Sequence, residues 1–268
     1  MLKLRVLTAA TVLPLFLAAM FALPNTWWSV LLIAPLLVGG HEWAKLSGYG
    51  RVSGQAFLCV LAGSCGQIWV FASQGGGGAP DTLTLAEQCV FGLSVAFWCL
   101  VAPCCLWLKI VFRHAIVRAM VGLIMLVPTW LSLSLLQGRP GLLLSLLMVI
   151  WIADIAAYFT GRAIGRHKLA PTISPGKTWE GVGGALTAVT VYAVTMHFFY
   201  FSGYALSVIV VAFLAIGCFS VIGDLYESWI KRNAGVKDSG TIFPGHGGML
   251  DRIDAITAAL PLATLIFF

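Results

Sequence analysis

An all-α, polytopic transmembrane helical bundle of about nine spans is the fold class this sequence predicts, and three observations predict it. Only 26 of the 268 residues are charged, 16 Lys or Arg and 10 Asp or Glu, where a soluble chain of this length carries about 67. Hydrophobic residues make up 60% of the chain, and the mean hydropathy is +0.95. The apolar residues also fall in runs close to the roughly 20 residues that a lipid-spanning helix needs. The alternating pattern of a membrane β-barrel is absent. Such a chain cannot clothe a globule in polar surface, and its composition excludes a disordered, collagen-like or disulfide-scaffold protein.

Taken in order, Val6–Ala22 opens the chain behind Lys3 and Arg5. That pattern resembles a secretory signal, but no small-x-small cleavage site lies near Ala22 and a second apolar run begins at once, so a first span is expected. Trp27–Gly40 follows and is short for a ~30 Å core. Gln55–Ala72, Gln88–Leu108 and Ala119–Leu136 complete a scaffold of about five spans over residues 1–140. Leu142–Thr160, Val182–Phe201, Tyr204–Gly223 and Ala255–Phe268 belong to a second region, 141–268, and the last of them is again short. In lipid, a run of this kind satisfies its backbone polar groups only as a helix. The seven cysteines lie in or beside apolar runs, their number is odd and no CxxC occurs, so they read as small hydrophobes.

The loops predict the orientation. Lys and Arg concentrate on the cytoplasmic side of a membrane. With the N-terminus cytoplasmic, 15 of the 16 basic residues fall inside, Arg139 alone falls outside, and so does the Gly-rich loop around Gly75–Gly78.

Acids are distributed unevenly. Glu42, Asp81 and Glu87 are the only ones in the first 140 residues, and the other seven lie between Asp154 and Asp254. Two polar stretches in this region, 161–181 and 224–254, are too rich in Gly, Pro and charge to be ordinary connectors, and long irregular segments are usually functional. They predict a polar, cytoplasm-facing cavity in the C-terminal half. Asp154 is the one carboxylate deep inside a predicted span, where a lone charge costs roughly 2.5–3.5 kcal/mol on insertion scales. It is either a structural, hydrogen-bonded group or part of the cavity, and its position just ahead of the first polar stretch favours the cavity. Arg162, Arg166, His167 and Lys168 form a basic cluster that the charge bias alone would explain. Ser174-Pro175-Gly176-Lys177-Thr178 offers hydroxyls, backbone N–H groups and an ammonium ahead of a helix, which suits phosphate oxygens. It is not a Walker A loop, because Pro171 stands where that motif needs Gly. Glu180 either caps the following helix or contacts a metal or base.

The second stretch is more specific. Asp224, Glu227, Ser228 and Lys231 are spaced i, i+3, i+4 and i+7, on one helical face. Asp251 and Asp254 repeat the i, i+3 spacing, with Lys231, Arg232, Lys237 and Arg252 close by in sequence. Carboxylates from two helix ends among Lys and Arg suit Mg²⁺ and a polyphosphate, because Mg²⁺ is held by one or two carboxylates together with substrate phosphates. Pro244-Gly245-His246-Gly247-Gly248 allows close backbone approach, with His246 as a hydrogen-bond donor, an acid/base or a turn residue.

Ser228 through Asp254, SxxKRxxxxKDxGxxxPGHGGxLDRxD, resembles the signature of the phosphatidate cytidylyltransferase (CDP-diacylglycerol synthase) family. The upstream stretch DxxAYxxGRxxGRHKLAPxISPGKTWEG, from Asp154 to Gly181, is similar to the same family. The likeness covers roughly residues 150–257, with a weak Glu42-Trp43-Ala44 echo upstream. It implies transfer of the CMP moiety of CTP to phosphatidic acid, giving CDP-diacylglycerol and pyrophosphate for phospholipid synthesis. It implies Mg²⁺ as cofactor, paired with a monovalent cation such as K⁺, and Asp224 and Asp251 as the metal carboxylates. Lys231, Lys237, Arg232 and Arg252 would meet phosphates, and Ser174, Lys177 and Thr178 would form the other wall, with Ser228, His246 and Asp154 lining the substrates. A homodimer in the bacterial inner membrane, with its active site facing the cytoplasm and no nucleic-acid partner, is the corresponding expectation. The DGxxAR…GxxxDxxxD pattern of a CDP-alcohol phosphotransferase is absent. A CTP-dependent polyprenol kinase is a chemical neighbour that product analysis would separate. A proton-coupled transporter would explain an intramembrane Asp but not acids gathered beside PGHGG.

Overall fold

The computed structural model describes the backbone of residues 2–74, 82–243, 245 and 247–268, and the side chains of these except at 2–9 and 71–74. Asp81, the Gly75–Gly78 loop, Pro244 and His246 therefore lie outside the described residues, as do the side chains of Lys3 and Arg5. The described chain is a helical bundle carrying one small β-hairpin. Its helices are α1 (Leu2–Ala22), α2 (Asn25–Leu46), α3 (Arg51–Gln74), α4 (Leu85–Ala96), α5 (Ala102–Leu108), α6 (Ala115–Leu136), α7 (Pro140–Ile164), α8 (Trp179–Phe199), α9 (Leu206–Asn233) and α10 (Leu250–Phe267). A π-helical turn, Phe97–Val101, joins α4 to α5 in one rod. Each predicted apolar segment overlaps one of these rods. Among the described residues, five rods (85–108, 115–136, 140–164, 179–199 and 206–233) are long and apolar enough to cross a membrane, and the chain is an integral membrane protein.

Three expectations are revised by geometry. The two runs that read as short are longer, since α2 continues to Leu46 and α10 starts at Leu250. Much of the stretch 224–254 is helical, with α9 running to Asn233, so the irregular connector is confined to 234–249. In 161–181, α7 runs on to Ile164, and β1 (Lys168–Ala170) and β2 (Ser174–Thr178) pair antiparallel with Lys168 opposite Thr178.

Local signals explain several helix ends. Thr84 accepts from the Glu87 N–H while Glu87 accepts from the Thr84 N–H, a reciprocal cap that starts α4. Gln137 donates to the Met20 and Leu23 carbonyls left over at the end of α1. Indole N–H groups tie α2 to α6: Trp28 donates to Leu133 O at 2.9 Å, Trp130 to Ser29 O at 3.0 Å and Trp43 to Arg118 O at 3.1 Å. These bonds satisfy the one polar atom of each ring.

At the centre sits α10. It packs on α9, α6, α4, α7 and α2, and Ala258, Ala259, Leu260 and Ala263 are fully buried. Gly223 of α9 lets it come close, because a Cβ there would lie 2.5 Å from the Asp254 carbonyl oxygen. The 18 residues of α10 give a rod of about 27 Å. Asp251 lies at one end. At the other, Arg139 donates to Phe267 O at 3.2 Å and stacks over the Phe268 ring at 4.7 Å.

Candidate active site at the ends of α9 and α10

The polar face predicted for α9 is present. Ser228 donates to Asp224 Oδ1 at 3.3 Å, and Lys231 Nζ lies 2.9 Å from Glu227 Oε2. The same ammonium reaches Asp251 Oδ1 of α10 at 2.6 Å, so Lys231 bridges two carboxylates from two helices. All three side chains are at least nine-tenths buried. Asp224 is half-buried and pairs with Lys177 of β2 at 2.6 Å. Asp154 of α7 lies within electrostatic range of Asp224 and Lys177, and Asp254 within range of Asp224, Glu227 and Lys231.

Asp251 is held from its other side by the connector. Its Oδ2 accepts from the Ser239 N–H at 2.8 Å, the Gly248 N–H at 2.8 Å and the Ser239 hydroxyl at 3.0 Å. Burial pushes this carboxyl's pKa up, but Lys231 and the two amides outweigh burial and leave it below the ordinary value. Asp251 precedes the apolar segment that begins at Ala255. Gly247, at φ +82°, makes the connector's turn possible, and Phe243 N–H closes it on Gly247 O at 3.0 Å. A Cβ at Gly247 would lie 2.5 Å from Asp251 Oδ2. Gly247→Ala is therefore expected to cost about 1–3 kcal/mol of stability and to lower turnover about tenfold or more as Asp251 is displaced. Gly63→Ala, whose Cβ would meet nothing within 4 Å, serves as the control. Thermal melts in detergent and initial rates check both.

The hairpin supplies the remaining wall. The Thr178 hydroxyl is buried and accepts from the Gly181 N–H at 3.1 Å, so it begins α8 and is not presented as a free ligand. Glu180 lies in the first turn of α8, where Thr178 is the N-cap. It turns back to accept from the Arg166 and His167 N–H groups and meets His167 Nδ1 at 2.6 Å, fixing the approach to β1. Arg232 donates to Ile173 O at the hairpin tip and to Val236 O, clamping hairpin and connector to the end of α9. Ser174 is half-buried, while Lys237 and Arg252 are exposed. The structure thus gathers Asp154, Lys177, Asp224, Ser228, Lys231 and Asp251, with Arg232 at the hairpin tip and Arg252 next to Asp251 on α10, while no hydrogen bond or ion pair to this cluster is seen for the side chains of Ser174 and Lys237 among the described residues.

The donor set fits a hard divalent cation. Its candidate ligands are carboxylate oxygens: those of Asp224 and Asp251 are engaged by Lys177, Ser228, Lys231, Ser239 and Gly248, and Glu227 Oε1 is buried with no hydrogen-bond partner. Among the described residues no three His, Cys, Asp or Glu side chains converge into a ready-made cage. An ion there would complete its shell with phosphate oxygens and water, which is the habit of Mg²⁺.

Comparison with known proteins bears on this arrangement. Residues 3–268 match the family model described as "Cytidylyltransferase family". The chain belongs to the cytidylyltransferase family. It is 37% identical to a phosphatidate cytidylyltransferase of Pseudomonas aeruginosa over 98% of its own length and 95% of the relative's. It is 33% identical to one of Haemophilus influenzae over 100% and 99%. Against one of Brucella melitensis, identity rises to 49% over half of each chain.

Several residues of the cluster in this cytidylyltransferase carry no assigned role in the sequence. Glu227 lies on the predicted face of α9. Asp254, marked in the sequence by its spacing and as the last position of the family motif, shares the field of Asp224. Ser239 joins the cluster through Asp251, and Glu42 through Ser239. The Glu42-Trp43-Ala44 echo was the one available signal, and nothing local in the sequence connects residue 42 with residue 251.

Proposed function

We propose that this cytidylyltransferase transfers the CMP moiety of CTP to phosphatidic acid, releasing pyrophosphate and forming CDP-diacylglycerol. The observation that carries the reading is the near-full-length likeness to relatives named for that activity. The cluster suits the chemistry. A phosphate oxygen of the lipid attacks the α-phosphorus of CTP, so the substrate is its own nucleophile and the protein's work is positioning and charge neutralisation. Lys177, Lys231, Arg232, Lys237 and Arg252 take phosphate oxygens, Lys177 and Lys231 by exchanging part of their present pairing with Asp224 and Asp251. Ser174, Ser228 and His246 contact substrate, and Asp154 lines the cavity wall. Asp224 and Asp251 would hold Mg²⁺, with Asp254 and Glu227 adjacent and a monovalent cation such as K⁺ beside it. When bound, Mg²⁺ would neutralise the triphosphate and the developing charge.

The topology proposed is nine spans with a cytoplasmic N-terminus and the site open to the cytoplasm, where CTP is found. The positive-inside pattern supports it, as does Arg139, the one basic residue assigned outside, which sits at the end of α10 opposite Asp251. The bacterial relatives support the inner membrane, and the family resemblance supports a homodimer. Purified protein given labelled CTP, Mg²⁺ and phosphatidic acid is expected to form a chloroform-soluble nucleotide lipid and an equal amount of pyrophosphate. Release of CDP would point to kinase chemistry instead, and no labelled lipid across several detergents and lipid mixtures would refute the synthase reading.

A further inference from the structure

The N-terminal half, read from sequence as scaffold, sends one carboxylate into the site. Glu42 of α2 is 4% exposed. Its Oε1 accepts from the Met249 N–H at 2.9 Å, and its Oε2 accepts from the Leu250 N–H at 2.8 Å and the Ser239 hydroxyl at 2.8 Å. These donors lie about 200 residues away in sequence. Two are backbone N–H groups at the start of α10, which lack partners within their own helix. The third is the hydroxyl that also touches Asp251 Oδ2. With one proton, Ser239 stands between two carboxylates that both draw on it.

The surroundings are shaped for this carboxylate. A Cβ on Gly240 would meet Glu42 Cδ at 2.8 Å, and one on Gly248 would run into both Glu42 oxygens. Glu42's own helix is fixed by the neighbouring Trp43, which donates to Arg118 O. A Cβ at Gly122 of α6 would strike the Trp43 indole. A continuous chain of contacts therefore runs Glu42–Ser239–Asp251–Lys231–Glu227, from α2 through the connector and α10 to α9.

We infer that Glu42 is a positioning residue: by holding the first turn of α10 and Ser239, it fixes the Asp251 carboxylate against Lys231 in the geometry that turnover needs. The inference rests on the cytidylyltransferase reading for its kinetic effect, but the contact itself is independent of that reading. A Glu42→Gln side chain keeps the size while presenting an NH₂ to N–H or O–H donors. In Glu42→Gln, kcat is expected to fall roughly 10–100-fold with KM for CTP and phosphatidic acid changed less than about threefold. Glu42→Asp should restore part of the loss, because it returns a carboxylate. Ser239→Ala, which leaves the two backbone contacts in place, should cost less, and its effect should not add to that of Glu42→Gln.

The deciding readout is amide hydrogen exchange in the detergent-solubilised full chain. Protection at Ser239 and at Gly248–Asp251 should drop in Glu42→Gln while the rest of α9 and α10 exchanges as in the parent. Unchanged local exchange, a kcat within about twofold of the parent, or an activity loss that disappears when rates are expressed per folded molecule would each overturn the inference. If Glu42→Gln does not fold, Ser239→Ala takes over both readouts at the amides its hydroxyl influences, Ser239 and Asp251, whose N–H donates to Ser239 Oγ at 3.3 Å, and parental exchange at both together with a parental kcat also overturns it. If the parent protein makes no nucleotide lipid, the proposed function fails while the exchange measurement still decides the contact.

Discussion

Asp251→Asn is expected to lower turnover by about 100-fold or more in a protein that still inserts, extracts and elutes as the parent does. The carboxylate accepts at both oxygens, from Lys231 at 2.6 Å on one side and from the Ser239 and Gly248 N–H groups at 2.8 Å on the other. An amide keeps one acceptor and must turn its NH₂ toward donors, either the ammonium or the two backbone N–H groups. Asp224→Asn should act on the same scale for a different reason. Asp224 is half-buried and paired with Lys177, and its loss releases the hairpin's ammonium as well as a proposed metal oxygen. Initial rates of lipid-linked nucleotide formation, with circular dichroism and size-exclusion profiles alongside, check both. Parental rates in both variants would remove the two-carboxylate site.

Lys231→Met is expected to be the most destabilising single change in the cluster. Its ammonium lies between Glu227 and Asp251, whose side chains are 1% and 8% exposed. Removing one partner of a buried ion pair leaves uncompensated charge and costs about 3–5 kcal/mol. Here two carboxylates lose their cation together, and Glu227 already has one oxygen without a partner. Adding Glu227→Gln to the Lys231→Met background should recover part of that loss, because it removes one of the stranded charges, whereas Glu227→Gln alone should destabilise the parent. A double-mutant cycle by thermal or denaturant unfolding in detergent measures the coupling. Strictly additive effects would contradict the bridge.

The bundle was largely legible because apolar runs leave one backbone solution in lipid. The α9 face was legible because four polar residues repeat at helical spacing within eight positions. What stayed hidden was either weak in local signal or long-range. The hairpin contains Gly, Pro and Lys and few β-branched residues, so its strands carry little of the usual preference. Thr178 reads as a phosphate ligand because a hydroxyl that caps a helix and one that holds a phosphate are chemically alike. The Glu42 contact joins positions about 200 residues apart, and no periodicity reports such a pairing.

The place of α10 has a consequence for how the protein is made. A helix wrapped on several sides by α9, α6, α4, α7 and α2 is solvated by protein more than by acyl chains, so it is free to carry Thr257, Thr264 and many alanines. Its first turns also carry three charged residues, Asp251, Arg252 and Asp254, where the apolar 18-residue stretch of each membrane-crossing rod carries at most two. Its slot is built by helices synthesised before it. Because Asp251 rides on the first turn of α10, the cluster is complete only when α10 has seated among the helices that precede it in the chain.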